Sequence, residues 1–286
     1  MGEALIGTPR SARVRSAVSL AVALTIGAIA FAWPVLLSSQ SAVAAVQAPL
    51  LFALVLPLVL AVVLSQLADG MLDARALAML GVLAAVGSVL RPLSAGTGGF
   101  ELIFFLLVLA GRVFGAGFGF ALGAVTLFTS ALLTGGVGPW LPYQMIAAGG
   151  VGAGAGWLPR AKGRAELAWL TGYGFLAGFG YGWAMDLAFW PFALGGQTGL
   201  SFDPALGAWA NLHRFALFNL ATSMGWNLVR AVVNAVLVLA LGPALLRLLR
   251  RSFRPTRHGA SRLPQKCQRH QTNGRRTPQT WASPQP

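Results

Sequence analysis

Charged residues are scarce in this chain, and acidic ones are the scarcest. Of its 286 residues, 10% are charged and only 7 are Asp or Glu, whereas 56% are hydrophobic. Ordinary soluble domains carry about 25% charged residues. The apolar residues fall in runs of roughly 17–25, the length with which a helix crosses the hydrocarbon of a bilayer. A single soluble core is therefore excluded, and the composition predicts an all-α, multi-pass membrane protein.

The residues and motifs of common catalytic and metal sites are also missing. The single cysteine, Cys267, can form no internal disulfide and no cysteine-based metal site. The 3 histidines, at positions 213, 258 and 270, do not share a span at metal-ligand spacing. No Gly-x-Ser-x-Gly elbow, Asp-rich prenyl-phosphate motif or Walker A sequence occurs. We therefore expect no enzyme activity, no cofactor and no resident metal.

The hydrophobic runs predict eight spans, at residues 17–37, 48–67, 75–90, 101–111, 114–134, 140–158, 167–190 and 215–247. The run at 101–111 is too short to cross a bilayer upright, so a half-helix protected by its neighbours is one interpretation. The first run follows a basic segment but lacks a clear cleavage site. It is therefore interpreted as a retained helix and not as a signal peptide.

The positions of the basic residues predict the orientation. With the N-terminus in the cytoplasm, 18 of the 21 basic residues fall in cytoplasmic segments, ten of them from Arg247 to Arg276. This asymmetry agrees with the positive-inside rule and predicts that both termini are cytoplasmic in a cell membrane. Residues 252–286 have almost no apolar content, so a disordered basic tail that contacts anionic lipid is expected.

Glycines recur inside the predicted spans, notably near residues 111–123, 149–156 and 172–182. A nucleotide-binding loop is disfavoured there, because no strand precedes these glycines and no Walker lysine follows them. Small residues four apart allow helix backbones to approach closely in lipid. The pattern therefore predicts a compact bundle with tight helix crossings.

Polar side chains within spans are costly in lipid and are the candidates for function. The last span carries a set at three- and four-residue intervals, which predicts one inward face: Asn219, Ser223, Trp226, Asn227, Arg230 and Asn234. This face either joins helices by hydrogen bonds or lines a path for a ligand or ion. In the preceding span, Trp183 and Asp186 lie three residues apart, and Asp186 either pairs with Arg230 or accepts a hydrogen bond from a substrate.

Two further groups of residues flank loops predicted to be extracellular. Trp140 and Tyr143 begin the sixth span, either as interfacial aromatic residues or as part of a pocket with Gln144. Arg91 and Glu101 flank a glycine-rich loop. They either clamp it as an ion pair or border a flexible lid over a pocket.

Residues 76–249 resemble the substrate-binding S component of energy-coupling factor (ECF) transporters, the vitamin-uptake relatives of ABC importers. The resemblance is carried by Arg91-Pro92-Leu93 with the glycine-rich loop that follows, by residues 102–115 and by residues 134–145. These segments look like the actinobacterial branch of the family. The resemblance implies a six-helix core within residues 71–251, preceded by two extra helices in residues 1–70 and followed by the tail at 252–286.

The same resemblance implies a transport subunit without ATPase activity, docked on a transmembrane coupling protein that two ATP-binding cassette ATPases energise. Docking would use small residues of the first core helix, for which Ala74, Ala78, Gly81 and Ala85 are available. The substrate, a small vitamin-like nutrient, would contact the following residues: Trp140, Tyr143, Gln144, Trp183, Asp186, Asn219, Ser223, Trp226 and Asn227. The rival functions are a membrane-embedded enzyme acting on a lipid or prenyl substrate, and a structural membrane protein.

Overall fold

A computed structural model of the chain describes residues 10–36, 56–57, 59–61, 63–65, 74–94, 98–193 and 198–253. These residues are overwhelmingly helical, and no strand occurs among them. The predicted all-α class is therefore confirmed for the described part of the chain. Most of the predicted second span and nearly all of the basic tail lie outside the described residues. The division into three segments is not tested.

Besides helical residues at 56–57, 59–61 and 63–65, the described ranges contain a series of α-helices with defined bounds and a π-helical turn. They are α1 (Arg10–Phe31), α2 (Trp33–Leu36), α3 (Ala74–Ser94), α4 (Phe104–Phe114), α5 (Ala116–Thr134), α6 (Leu141–Trp157), α7 (Gly163–Ala193), α8 (Ala208–Phe218), the π turn (Asn219–Ser223) and α9 (Met224–Phe253).

Among the described residues, four helical segments are long and apolar enough to cross a membrane: Val14–Phe31, Ala74–Ser94, Ala116–Thr134 and Ala208–Ser252. The chain is thus a helical bundle of membrane type. The last of these segments joins α8, the π turn and α9 into 45 residues, longer than the span predicted at 215–247. The division into six core helices and two extra ones stays a prediction.

Glycine and proline set the tight connections in the middle of the chain. Gly115, with φ 99°, is the single residue between α4 and α5, and Gly135, with φ 66°, ends α5 in the left-handed conformation. Only glycine adopts such angles without strain. Pro142 stands in the first turn of α6, where its missing N–H costs no intrahelical hydrogen bond.

The apolar run predicted at 101–111 forms a short helix with shifted bounds, α4 (Phe104–Phe114), which has 11 residues and a length of about 16 Å. Residues 104–111 are all buried, because α5, α6 and α9 surround the helix. A helix shorter than the hydrocarbon is acceptable in a membrane when protein, and not lipid, covers its ends. The burial of α4 therefore explains how so short an apolar segment is accommodated.

The tight crossings predicted from glycine are present where α5 meets α6. A Cβ atom added to Gly119 would lie 2.3 Å from the carbonyl oxygen of Gly152, and one added to Gly111 would lie 2.0 Å from the same oxygen. Any larger residue at these positions would force the backbones apart. Close backbone approach of this kind provides dispersion contacts where lipid offers no hydrophobic driving force.

Candidate functional site

A cluster of polar side chains joins α7 to the segment formed by the π turn and α9. Asp186 is on α7, Asn219 opens the π turn, Asn227 and Arg230 are on α9, and Glu101 precedes α4. The two long helices pack along much of their length. We call these five residues the Asp186 cluster.

Asp186 accepts hydrogen bonds from both asparagines on the same carboxylate oxygen. Nδ2 of Asn219 lies 2.7 Å from Oδ2 of Asp186, and Nδ2 of Asn227 lies 2.9 Å from it. Both amides are buried, with exposures of 0% and 2%, whereas Asp186 is partly exposed. Hydrogen bonds to an ionised acceptor are stronger than neutral ones, so this pair fixes the carboxylate against α9.

The π turn explains why Asn219 and Asn227 reach one carboxylate. Residues eight apart in a regular α-helix differ by about 80° in direction, because each residue advances about 100°. A π turn holds one extra residue, which reduces the difference to about 20°. The turn at Asn219–Ser223 therefore rotates Asn219 onto the face that carries Asn227.

Arg230 extends the cluster toward the start of α4. Its NH1 donates to Oδ1 of Asn227 at 2.7 Å, and its NH2 pairs with Oε1 of Glu101 at 3.1 Å. The guanidinium also lies over the ring of Tyr181, 5.5 Å from the centroid. Asn227 thus bridges Asp186 and Arg230, and Arg230 shares its charge with Glu101. The alternative in which Arg230 pairs directly with Asp186 is not what the structure shows.

Two buried polar atoms of the Asp186 cluster lack a hydrogen-bond partner within the described ranges: Oδ1 of Asn219 and Nε of Arg230. The amide orientation is set by chemistry, because a carboxylate only accepts hydrogen bonds and each asparagine must turn its NH2 group toward Asp186. The Oδ1 of Asn227 then meets Arg230, whereas that of Asn219 meets no donor. An unpaired buried acceptor is unfavourable by about 1–3 kcal/mol.

Two glycines allow the close approach that the Asp186 cluster requires. A Cβ atom on Gly182 would lie 1.8 Å from Oδ1 of Asn227 and 2.3 Å from NH1 of Arg230. One on Gly99, where φ is 87°, would lie 2.2 Å from the carbonyl oxygen of Trp226. The loop before Glu101 and the middle of α7 can therefore contact α9 only without side chains at these positions.

Known proteins supply no role for the Asp186 cluster. No protein-family model, curated protein or solved structure matches this chain. Within the described ranges, no group of three or more His, Cys, Asp or Glu residues could hold a metal ion.

The other residues of the predicted polar face take different positions. The hydroxyl of Ser223 lies 3.2 Å from that of Thr222 at the surface, and Trp226 is about half exposed. Asn234 is buried and donates to the carbonyl oxygen of Gly174. Trp183 is 38% exposed, and its ring meets that of Phe215 edge to face at 5.9 Å. Of the residues predicted to bind substrate, Asp186, Asn219 and Asn227 lie together, with Trp183 on the same helix.

The three residues predicted on α6 and its entry do not form one group. Tyr143 is buried between the rings of Phe31 and Phe189. Trp140 is 44% exposed, and its indole N–H donates to the carbonyl oxygen of Gly136. Tyr143 therefore packs in the bundle, whereas Trp140 closes its own loop, as an interfacial aromatic residue would.

The predicted ion pair between Arg91 and Glu101 is wrong, because each residue has another partner. Arg91 donates from NH2 to Oε1 of Gln144 at 2.9 Å, and Glu101 pairs with Arg230. Arg91 thus ties α3 to α6, while Glu101 ties the following loop to α9. The two residues that flank the loop therefore make separate contacts with different helices, and their spacing along the sequence did not indicate these partners.

The four predicted docking residues share a surface of α3. Ala74, Ala78, Gly81 and Ala85 are all exposed, and nothing lies within 4 Å of a Cβ atom added to Gly81. The buried face of the same helix carries Ala76, Leu80, Leu83 and Ala84. The small residues therefore face away from the bundle.

A second charged cluster at the other end of α7 was not found from the sequence. Glu166, 3% exposed, accepts from Arg112 at 2.7 Å and from Arg250 at 2.6 Å. Burial by itself raises the pKa of Glu166, but the hydrogen bonds and charges of Arg250 and Arg112 outweigh it and lower that pKa below its ordinary value. Arg112 also donates to the carbonyl oxygen of Leu158. In the sequence, the one sign of this cluster is the acidic residue Glu166, which follows a basic segment.

A polar loop covers the start of α8. Asn211, 2% exposed, donates to the carbonyl oxygens of Asp203 and Leu206 and accepts from the N–H of Asp203. Arg214 lies 3.5 Å from the Asp203 carboxylate, and these two residues border a half-open cavity of about 360 Å³. The side chains here mainly satisfy backbone groups, as is typical of a structured loop.

Proposed function

We propose that this chain is the substrate-binding membrane subunit of an importer of the energy-coupling factor type. The observation that carries the proposal is the Asp186 cluster, a charged and amide network within an otherwise apolar helix pair. Charged groups at such positions are retained in membrane proteins mainly where they bind or conduct a solute. The partly exposed carboxylate of Asp186 gives the network an accessible group.

The spacing of the two charged clusters supports placing the Asp186 cluster at the outer boundary of the membrane. Asp186 follows Glu166 by 20 residues on α7, and Arg250 follows Arg230 by 20 residues on α9. At 1.5 Å per residue each separation is about 30 Å, the thickness of the hydrocarbon. With the basic Glu166 end in the cytoplasm, as the positive-inside rule predicts, the Asp186 cluster faces the side from which a nutrient arrives.

The exposed small residues of α3 support the expected partner. A surface of Ala74, Ala78, Gly81 and Ala85 lets another helix approach closely, as small residues do in helix pairs within lipid. The proposal assigns this surface to the coupling protein. The two ATPases bind the coupling protein and supply the energy, because this chain has no Walker A sequence.

Partner capture from native membranes tests the proposal. The tagged chain, purified in mild detergent from its own organism, is expected to bring down one coupling protein and two ATP-binding cassette ATPases. A Gly81→Trp variant should lose these partners, while Gly180→Trp, at an exposed glycine of α7 with free space around it, should keep them. Recovery of the chain without any ATPase would refute the proposal.

One observation favours a purely structural role instead. Asn227 is satisfied on both sides, by Asp186 and Arg230, so much of the network also joins helices. The two functions differ in what a ligand does. A binding subunit is stabilised by its nutrient, whereas a network that only joins helices is indifferent to solutes.

A further inference from the structure

On the Asn219 side of the Asp186 cluster, one buried acceptor meets no donor among the described residues. Oδ2 of Asp186 takes both asparagine donors. Oδ1 of Asn219, bonded to the same carbon as one of those donors, is buried and has no hydrogen-bond partner in the described part of the chain. A group that fills this place must therefore donate hydrogen bonds or carry positive charge.

The charge balance favours a positively charged group over a neutral donor. In the described part of the chain, the contacts made by Asp186 are those to two neutral amides. Arg230 is paired with Glu101 at 3.1 Å, and Arg91 donates to Gln144 on another helix. A carboxylate taken partly out of water is unfavourable unless a countercharge is near. Asp186 thus has its hydrogen-bonding amides in place but no contacting cation.

An aromatic residue lies about one helical turn before each of these acceptors. Trp183 precedes Asp186 by three residues on α7, and Phe215 precedes Asn219 by four, so each ring lies about one helical turn from its acceptor. The two rings meet at 5.9 Å, and Trp183 remains 38% exposed. The face of a tryptophan attracts a cation. A carboxylate and an indole on α7 thus lie on the helix that contacts the π turn, which carries the amide oxygen.

We infer that Asp186 and Asn219 together hold a positively charged group. It is either the ammonium group of the transported nutrient or an inorganic monovalent cation. If the cation is the ammonium group of a nutrient, the inference rests on the proposed function, because only the binding subunit of an importer would bind that nutrient. Cation binding itself requires only the geometry of Asp186, Asn219 and Trp183.

Thermal melting of the full chain in detergent tests this with named probes. Benzylammonium chloride is titrated against benzyl alcohol, which has a similar ring but no charge. Sodium chloride is compared with N-methyl-D-glucamine chloride at equal ionic strength. We expect benzylammonium or sodium to raise the melting temperature. If the two cations bind the same site, each should weaken the apparent binding of the other.

Asp186→Asn keeps the shape of the side chain but removes the charge, and should weaken the apparent affinity about 10- to 100-fold. Asp203→Asn is the matched control, because it makes the same change of carboxylate to amide outside the Asp186 cluster, in the loop where Asp203 lies beside Arg214, and should leave affinity unchanged. If the wild-type chain responds equally to the amine and the alcohol and equally to both salts, the inference is overturned, whatever the variants do. Unweakened binding in a folded Asp186→Asn protein overturns it as well. Because partner capture is measured separately, a failed importer hypothesis and a failed cation site give different results.

Discussion

Gly182 offers the sharpest test of how the Asp186 cluster is built. In a helix interior, replacing glycine with alanine normally favours the folded state by up to about 1 kcal/mol. At Gly182 the new methyl group would instead lie 1.8 Å from Oδ1 of Asn227 and 2.3 Å from NH1 of Arg230. The substitution must therefore displace the bridge between α7 and α9.

The expected loss follows from two terms. Overpacking a tight contact costs about 1–3 kcal/mol, and each hydrogen bond to a charged group contributes about 1.5–3 kcal/mol. With one such hydrogen bond lost, and after the gain in helix propensity, Gly182→Ala should lower the free energy of unfolding by about 1.5–5 kcal/mol. At about 2–4 °C per kcal/mol for domains of 150–250 residues, the melting temperature should fall by roughly 3–20 °C.

Gly180→Ala is the matched control on the same helix. Nothing lies within 4 Å of a Cβ atom at position 180, which is exposed, so this change should be neutral or slightly stabilising. Both variants are purified in the same detergent and melted side by side, with the folded fraction read by gel filtration. Equal melting temperatures for the two would refute the close contact between Gly182 and the cluster.

Three other outcomes are expected. Glu166→Gln should destabilise the fold by about 3–5 kcal/mol, because it leaves buried arginine charge unpaired. Since the folded-state pKa of Glu166 is lowered, the stability that its charge contributes is present above the unfolded-state pKa. It is lost as the pH falls through the folded-state pKa, so an acid melting series should show less acid sensitivity in Glu166→Gln. If Asn227 only joins helices, Asn227→Leu should lower the melting temperature. If Asn227 also contacts substrate, it should in addition weaken nutrient binding by the folded fraction about 5- to 150-fold. In a Cys267→Ser background, a cysteine at Val137 should be labelled from outside intact cells and one at Lys162 should not; the reverse would overturn the orientation.

The helical class and the buried half-helix could be predicted from the sequence for a simple physical reason. Lipid offers no hydrogen-bond partners, so long apolar runs satisfy their backbone only as helices. The same reasoning applied to a run of about eleven residues gave a half-helix protected by neighbours as one interpretation, and α4 is a short helix buried by its neighbours, with bounds shifted to Phe104–Phe114. Glycine spacing likewise predicted the tight crossings that Gly119 and Gly152 make.

The polar face of the last helix could be predicted only in part, because the prediction assumed a regular helical period. The π turn at Asn219–Ser223 changes that period. It places Asn219 and Asn227 on one carboxylate and leaves Ser223 and Trp226 elsewhere. A π turn depends on packing around the helix and has no clear signature in composition.

Partner choice among charged residues was decided by the tertiary structure alone. Glu101 pairs with Arg230, 129 residues away, and not with Arg91, the nearer arginine along the chain. Glu166 joins Arg112 to Arg250, which lie on different helices. Periodicity determines which face of a helix a residue occupies, but not which helix meets that face. The sequence by itself thus determined helices, their apolar lengths and the residue types available, and packing of those helices determined which charges meet.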